Sequence, residues 1–149
     1  MFSVKAVKIN SAGLNIIKES ESLRLTGYLC PAKIPTNGYG HTGPDVFVGQ
    51  KITLEEADAL LANDLTRFER GVTNLLDNAL TNHNQFSALV SLAYNIGLGA
   101  FAKSTALREH KAGNYSRASA GFMLWIKAKG KILGGLVTRR RKEVALYVS

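Results

Sequence analysis

The sequence has little of several things, and each shortage excludes a class of protein. A single cysteine, Cys30, rules out an internal disulfide, and the three histidines match no metal-ligand spacing. The longest apolar runs are far too short to span a bilayer. The first twenty residues contain neither the apolar core nor the Ala-x-Ala site of a signal peptide. We therefore expect a protein that is stabilised by packing alone, starts in the cytoplasm, does not insert stably into a membrane and uses no metal or other cofactor.

What the sequence does have is the composition of one globular domain with an excess of positive charge. Hydrophobic residues make up 46% of the 149 residues and charged residues 20%, which argues against disorder and allows a sizeable core. We expect a single domain over 1–149. The net charge of +8 favours polyanionic partners, and nucleic acid, anionic lipid and the bacterial envelope all qualify.

A short helix is predicted over 11–21, with Ser11 as its N-cap. Steps of three and four residues from Leu14 reach Glu21, so Glu21 shares the apolar side of this helix. Glu19 lies about 200° around the axis from it and should face water. The helix geometry therefore selects Glu21 as the special acid. The plain alternative is a surface carboxylate at a charged helix end.

The stretch from Arg24 to about Val48 loses the helical period, and glycines and prolines recur between short apolar runs. This pattern predicts a small antiparallel sheet of two or three strands. The stretch carries the thiol of Cys30 nine residues after Glu21, and the hydroxyl of Thr36 six residues further on. An acid on one wall, opposite a pair of groups that can hold a water, is what the cleavage of a glycosidic bond requires.

The thiol of Cys30 has three possible roles in that chemistry. Its ordinary pKa is near 8.5, so it stays mostly neutral unless Arg24, Lys33 or His41 lowers that pKa. It could act as a thiolate base, hold the attacking water, or attack the sugar itself. We favour water positioning or weak base catalysis, because Thr36 supplies a second hydrogen-bonding group for the same water. The plain alternative is a small buried hydrophobic residue.

The rest of the chain is predicted to be mainly helical. Thr53 and Glu56 form a capping box that begins a helix, or two in tandem, within about 54–79. Further helices are expected over roughly 82–96, 104–112, 115–127 and 136–147. The predicted fold class is α+β, with a β lobe over about 22–52, a larger helical lobe over about 11–20 plus 66–149, a long connecting helix, and a cleft between the lobes.

Two motifs in this chain resemble those of a known family. The Glu-x8-Cys-x5-Thr spacing over 21–36, followed by Gly-x-Gly-His over 38–41, resembles the phage-type lysozymes, the endolysins of glycoside hydrolase family 24. In that family the middle position is usually Asp and, in a subset, Cys. The stretch over 85–104 is similar to the family's segment that faces the cleft. By this resemblance, the catalytic residues are Glu21, Cys30 and Thr36, and the substrate-binding residues are Thr42, Tyr94, Asn95 and Ser104.

The resemblance implies a lysozyme-type fold and a lytic enzyme of a bacteriophage. Such an enzyme hydrolyses the β-1,4 bond between N-acetylmuramic acid and N-acetylglucosamine in bacterial peptidoglycan and so lyses the host cell. Glu21 would donate the proton, while Cys30 and Thr36 organise the attacking water with inversion at the sugar. The same resemblance implies a monomer that waits in the host cytoplasm until a holin-type pore lets it reach the peptidoglycan of the periplasm.

Other functions stay open at this point. A lytic transglycosylase would share the acid but use the sugar's own hydroxyl in place of water. A catalytically idle relative that only binds the wall is a second alternative. A basic module that binds wall or nucleic acid is the third, and the basic run over 138–142 is its main support. We interpret that run mainly as a solvated face, because Glu143 follows it and no aromatic residues interleave, and we expect no nucleic-acid partner.

Two single residues also have plain interpretations. His41 would be a structural histidine that bridges the sheet to the helical lobe, or a group that touches the substrate or tunes Glu21. Tyr94 would line the saccharide site, or pack in the core at helical spacing.

Overall fold

The computed structural model describes residues 8–149, which divide into two compact units. One unit, here called the sheet unit, is Lys18–Arg67, and the other, the helical unit, combines the described residues 8–17 with residues 68–149. The elements in chain order are α1 (Ser11–Ser20), β1 (Arg24–Leu29), β2 (Pro35–Gly38), β3 (His41–Thr42), α2 (Leu54–Leu76), α3 (His83–Ile96), α4 (Leu98–Ala102), α5 (Thr105–Lys111), α6 (Tyr115–Phe122), β4 (Lys127–Ala128), β5 (Lys131–Ile132) and α7 (Gly134–Val148). Helices with a small antiparallel sheet confirm the predicted α+β class.

The sheet unit is built on three antiparallel strands in the order β1-β2-β3. The strand β2 begins at Pro35, which suits the first residue of a strand because proline has no amide hydrogen to donate. A loop crosses β1 closely at Gly27, where an added Cβ would lie 2.1 Å from the carbonyl oxygen of Phe47. Glycine is therefore required at this position of β1.

Two helix starts in the described chain differ in how well the sequence predicted them. The capping box before α2 is confirmed, because the Thr53 amide donates to Glu56 Oε1 at 2.9 Å and the Glu56 amide donates to Thr53 Oγ1 at 3.1 Å. The prediction of Ser11 as N-cap of α1 is wrong by one residue. Asn10 is the cap, since its Oδ1 accepts from the Gly13 amide at 3.0 Å.

The helical unit has its core along α3. The residues of that helix from Phe86 to Ala93 are all buried, and α7 packs against it. The helices α5 and α6 form a second packed pair. Within residues 8–149, no helix is both long enough and apolar enough to cross a membrane.

The region after α6 departs from the sequence-based prediction. A helix was expected to continue to about residue 127, but α6 ends at Phe122 and a two-stranded hairpin, β4–β5, follows. The turn of this hairpin has positive φ at Lys129 (51°) and Gly130 (78°). Two consecutive left-handed residues form the tight turn that a hairpin favours, and the Lys-Gly pair at its tip is the signal that the periodicity argument overlooked.

Candidate active site

Glu21 lies one residue beyond the end of α1, where it is half-buried while Glu19 is exposed. One carboxylate oxygen of Glu21 lies 3.5 Å from the position that a Cβ on Gly40 would take. Gly40 has a φ of +86° in the turn between β2 and β3. The acid thus lies beside the backbone of that turn, and the positive φ of Gly40 is a conformation that favours glycine there.

Cys30 lies at the start of a tight turn that joins β1 to β2. The Lys33 amide donates to the Cys30 carbonyl at 2.7 Å, the Cys30 amide donates to the Ile34 carbonyl at 3.1 Å, and Lys33 has a φ of +62°. This turn directs backbone amides toward the sulfur. The backbone N–H of Ile34 is the largest cause of a lowered pKa of Cys30, and the Ala32 amide and the Thr36 hydroxyl act in the same direction against desolvation.

The lowered pKa of Cys30 therefore comes from amides and a hydroxyl rather than from the cationic side chains that the sequence offered. Arg24, one of those cations, stacks on the ring of Tyr28 with 4.6 Å between the guanidinium carbon and the ring centroid. A side chain that accepts from the amide two residues later, as Cys30 does from Ala32, makes the contact of an Asx-turn. An ionised sulfur can thus take the place of an Asp carboxylate in this turn.

Thr36 is buried on the central strand β2, and its hydroxyl donates to the Ile34 carbonyl at 2.8 Å. A hydroxyl has one proton, so in this arrangement Thr36 offers a lone pair toward the neutral thiol of Cys30. To stabilise the thiolate, the same proton must turn from Ile34 to the sulfur. Cys30 and Thr36 consequently form a pair whose shared hydrogen bond reverses direction with the charge on sulfur.

Thr42, a predicted substrate-binding residue, is the register partner of Thr36 on β3. Directly opposed residues of antiparallel strands point to the same face of a sheet. Thr42 is exposed while Thr36 is buried, so of the two hydroxyls that of Thr42 is the one open to a ligand.

His41 bridges β3, the following loop and α2. Its Nδ1 lies 2.8 Å from Asp64 Oδ2 and its Nε2 lies 3.0 Å from Asp45 Oδ2, and in the protonated ring both nitrogens donate to these carboxylates. Desolvation opposes the charged form, but the two carboxylates outweigh it and raise the pKa of His41. The hydrogen bond to His41 in turn lowers the pKa of Asp45. This geometry agrees with the structural interpretation of His41, since both ring nitrogens are used within the sheet unit.

Tyr94 and Asn95 lie near the end of α3 in the helical unit, and both are half-buried. The ring of Tyr94 meets that of Phe68 edge to face at 5.1 Å. The side-chain oxygen of Asn95 accepts a hydrogen bond from Arg140 Nη2. Because a guanidinium can only donate, this contact fixes the amide orientation and leaves the NH₂ group of Asn95 as the donor for any further partner.

Ser104 has a structural role in the helical unit that accounts for its hydroxyl. It is the N-cap of α5, donates to the Phe101 carbonyl at 2.7 Å and accepts from the Leu107 amide at 3.2 Å. Only 4% of the residue is exposed. The cap uses the proton of the hydroxyl and one of its two lone pairs, and the role of Ser104 in sugar binding stays a prediction.

The interpretation of the basic run over 138–142 as a solvated face is wrong for two of its members. Arg139 and Arg140 are buried, and each forms an ion pair of 3.1 Å with the buried carboxylate of Glu143. Ser91 Oγ donates to the same carboxylate at 2.6 Å. The spacings of four and three residues to Glu143 place these charges on one helix face, and that spacing was the signal that sequence reasoning passed over.

The partners of His41 were also missed, although Asp45 lies four residues after it in the sequence. A metal centre finds no support in the described chain, because no three side chains of His, Cys, Asp or Glu in residues 8–149 come together as a metal site requires.

The fold and the residues gathered on its small sheet define a lysozyme-type protein. The chain belongs to the phage lysozyme family, whose pattern it matches over residues 18–143. The family resemblance read from the sequence is thereby confirmed.

Individual relatives agree with this assignment. The endolysin of Bacillus phage B103 is 44% identical over 145 residues, which cover 96% of this chain and 55% of that protein. The endolysin of Salmonella phage P22 is 43% identical over 147 residues, covering 96% and 99%. Among solved structures, the muramidase domain of SpmX from Asticaccaulis excentricus superposes with a TM-score of 0.88 at 36% identity, over 95% of this chain and 98% of that one. The chain spans just over half the length of the Bacillus phage endolysins that it matches.

Proposed function

We propose that this protein is an endolysin that hydrolyses the β-1,4 bond between N-acetylmuramic acid and N-acetylglucosamine in peptidoglycan and thereby lyses the host cell. The observation that carries the proposal is the placement of the Glu21 carboxylate over Gly40, in the same compact unit as the Cys30–Thr36 pair. The relatives are named endolysin and muramidase, which supports hydrolysis of the cell wall and does not favour transglycosylation.

Glu21 acts in this mechanism as the general acid. It donates its proton to the oxygen of the departing sugar as the glycosidic bond breaks. The carboxyl is half-buried and lies beside the glycine turn between β2 and β3, so it is partly accessible to a ligand.

The Cys30–Thr36 pair handles the attacking water. The thiolate, stabilised by the Ile34 and Ala32 amides, accepts a proton from the water while the water oxygen bonds to the anomeric carbon. Thr36 holds the same water through its hydroxyl. Attack on the face opposite the leaving group inverts the anomeric configuration, whereas direct attack by sulfur would lead to retention.

The decisive test compares Glu21→Gln with the matched variant Glu19→Gln, which neutralises an exposed acid of the same helix end. General acid catalysis contributes roughly 10²- to 10⁴-fold, so Glu21→Gln should clear purified peptidoglycan that much more slowly in a turbidity assay. Glu19→Gln should stay within about twofold of wild type, as surface changes usually do. Equal rates for wild type and Glu21→Gln would remove the enzymatic proposal. Reducing ends among the products indicate hydrolysis, and anhydro-sugars indicate transglycosylation.

A second test separates the roles of the sulfur with Cys30→Asp and Cys30→Ser. A carboxylate at position 30 can accept the same turn amides, so Cys30→Asp should keep most activity and move the acidic limb of the pH–rate profile to lower pH. A Ser hydroxyl can hold water but is a poor base, so Cys30→Ser should be slower and lose that limb. Loss of all activity in both variants, with unchanged denaturation midpoints, would instead indicate an obligatory sulfur nucleophile.

The biological setting is part of the same proposal. We infer a monomer that accumulates in the host cytoplasm and reaches the periplasmic peptidoglycan through a holin-type pore. Expression in a bacterial host with and without such a pore tests this: lysis that needs the pore supports it, and equally fast lysis without the pore contradicts it.

A further inference from the structure

A groove in the helical unit is lined mostly by cations. Its volume is about 330 Å³, and its lining residues are Ala102, Lys103, Ser104, Arg108 and Lys111. The three basic side chains are all exposed. None of the five lining residues, all in the described part of the chain, carries a carboxylate. The groove is therefore lined by three cationic hydrogen-bond donors and by no carboxylate.

One lining residue of the groove is the cap of a helix. The hydroxyl of Ser104, which is buried, is held by the Phe101 carbonyl and the Leu107 amide. Arg108 and Lys111 are three residues apart on α5 and so share one face of that helix. Lys103, the C-cap residue of α4, contributes the third charge.

The acid that pairs with Arg108 compensates its charge only weakly. Glu109 approaches Arg108 at 3.7 Å, a long ion pair, while its other oxygen accepts from Asn114 Nδ2 at 2.9 Å. Arg108 Nη2 donates to Thr105 Oγ1 at 3.2 Å, which orients the guanidinium without neutralising it. Like charges gathered around one concavity repel each other, and a bound anion relieves that repulsion while gaining charge-assisted hydrogen bonds.

The groove fits a carboxylate better than a nucleic acid. A guanidinium flanked by two ammonium groups matches a carboxylate, which accepts two hydrogen bonds from Arg side by side. Binding of single-stranded nucleic acid would call for aromatic side chains on which bases stack, and no aromatic residue lines this groove. Peptidoglycan stem peptides carry carboxylates at close intervals along the polymer.

We propose that the groove at Lys103, Arg108 and Lys111 binds carboxylate groups of the stem peptides of peptidoglycan. This inference rests on the proposed function, because it names a second part of the same substrate. It assigns recognition of the peptide to the helical unit, apart from the sugar chemistry assigned to Glu21.

The test measures binding without turnover, in the Glu21→Gln background. One protein carries Lys103→Gln, Arg108→Gln and Lys111→Gln. Its control carries Lys127→Gln, Lys129→Gln and Lys131→Gln, which remove three exposed cations from the β4–β5 hairpin of the same unit. Both lose the same net charge. In cosedimentation with purified sacculi, the groove variant should bind at least about fivefold more weakly than its parent, and the hairpin variant no more than about twofold.

Three chemically altered forms of the substrate show which anionic group of the cell wall the groove binds. On sacculi with chemically amidated carboxylates, and on glycan strands stripped of stem peptides, the difference between the two variants should disappear. On sacculi freed of phosphate-containing wall polymers it should persist. Equal weakening of both variants would show a diffuse charge effect and overturn the proposal, as would a difference that survives on stripped strands or depends on wall phosphate. Failure of the proposed lysozyme function would be seen in a separate experiment, in which wild type and Glu21→Gln would clear peptidoglycan at equal rates.

Discussion

An ion pair in each of the two compact units shows a contrast in burial. In the helical unit, Arg140 and Glu143 are completely buried and paired with each other. In the sheet unit, the pair of Lys18 and Asp58 keeps 31% and 44% of its side-chain surface in water at a distance of 3.1 Å. A fully buried ion pair, here called sealed, is held by the fold and cannot exchange partners. A solvent-exposed pair, here called open, can replace its partner by water at little cost.

The two units also contain one histidine each whose pKa is shifted, and the two shifts have opposite directions. In the helical unit, the Thr81 hydroxyl donates to the Ala79 carbonyl at 2.9 Å, so it must accept from His110 Nε2–H at 2.8 Å. The bare Nδ1 of His110 then accepts from the Tyr147 hydroxyl at 2.6 Å. Desolvation lowers the pKa of this imidazole to about 4 and raises the pKa of Tyr147. Desolvation also opposes the charged form of His41 in the sheet unit, but there two carboxylates outweigh it and raise the pKa.

The difference teaches where chemistry can be placed in such a molecule. Titrating or removing a sealed group costs folding free energy, so these groups serve structure. The half-buried Glu21 and Cys30 belong to the unit whose charges stay near water, and a ligand can replace that water. Buried charge in this chain therefore indicates a structural role, and partly exposed charge on the sheet indicates a role in binding or catalysis.

The sealed ion pairs should give the largest change in stability. Glu143→Ala removes the carboxylate that Arg139, Arg140 and Ser91 share in the buried interior, and losing one partner of a buried pair costs about 3–5 kcal/mol. Urea denaturation measures the loss. Glu143→Gln keeps the shape and an acceptor, so it should fall between the alanine variant and wild type.

The open pair in the sheet unit provides the control for that prediction. Lys18→Ala breaks the Lys18–Asp58 contact, and its cost should stay below about 1 kcal/mol because solvent screens the pair. Similar losses for Glu143→Ala and Lys18→Ala would break the contrast between sealed and open charges.

His110 should make the helical unit sensitive to acid. Its folded pKa of about 4 lies below the ordinary value of 6.5, so the unfolded chain binds a proton first as the pH falls. Stability is complete above pH 6.5 and is lost as the pH falls from there to about 4. The stability lost through the protonation of His110 is about 3 kcal/mol over this pH range. His110→Gln, which retains one donor and one acceptor but cannot titrate, should flatten this part of the stability–pH curve.

The matched control for His110 is His83→Gln, which removes an exposed histidine from the first turn of α3. It should leave the slope between pH 6.5 and 4 unchanged. If His83→Gln flattens the curve as much as His110→Gln does, burial of His110 is not the source of the acid sensitivity.

The same contrast explains what could be predicted from sequence. The strand region over 24–42 and the capping box at Thr53 follow from local rules, since turn residues and capping spacings act within a few positions. The choice of Glu21 over Glu19 needed only the helical period, and the structure has Glu21 half-buried and Glu19 exposed. The roles of the site residues themselves stay predictions until the variants above are measured.

The features that sequence reasoning missed depend on contacts between distant parts of the chain. The burial of Arg140 is set by Glu143 nearby and by Asn95 on another helix, 45 residues earlier. Local composition around 138–142 contains only positive charge, which by itself favours solvent. The lowered pKa of Cys30 has a different cause, because it depends on the direction of amides in a turn whose φ at Lys33 no propensity rule would favour.

An effect smaller than that of the sealed ion pairs belongs to His41 of the sheet unit, which is itself buried but has partly exposed carboxylate partners. Asp64→Asn removes the carboxylate that accepts from His41 Nδ1–H at 2.8 Å, and the pKa of His41 should fall in an NMR titration. Because the pKa of His41 is raised in the folded protein, the His41–Asp64 contact stabilises the protein fully below pH 6.5. This stabilisation is lost as the pH rises through the folded-state pKa of His41. The variant should therefore lose about 1–2 kcal/mol near pH 6 and less near pH 9.

Asp45→Asn tests whether burial grades the effect within the sheet unit. Asp45 has 58% of its side chain exposed against 23% for Asp64, and its contact with His41 is longer, at 3.0 Å. Its replacement should shift the pKa of His41 less and cost less stability, because water screens the exposed carboxylate. Equal shifts from the two variants would mean that exposure does not decide the strength of these contacts. His41 would then resemble the sealed groups such as His110. The opposite directions of the pKa shifts of the two histidines would follow only from the negative charge of the partners of His41.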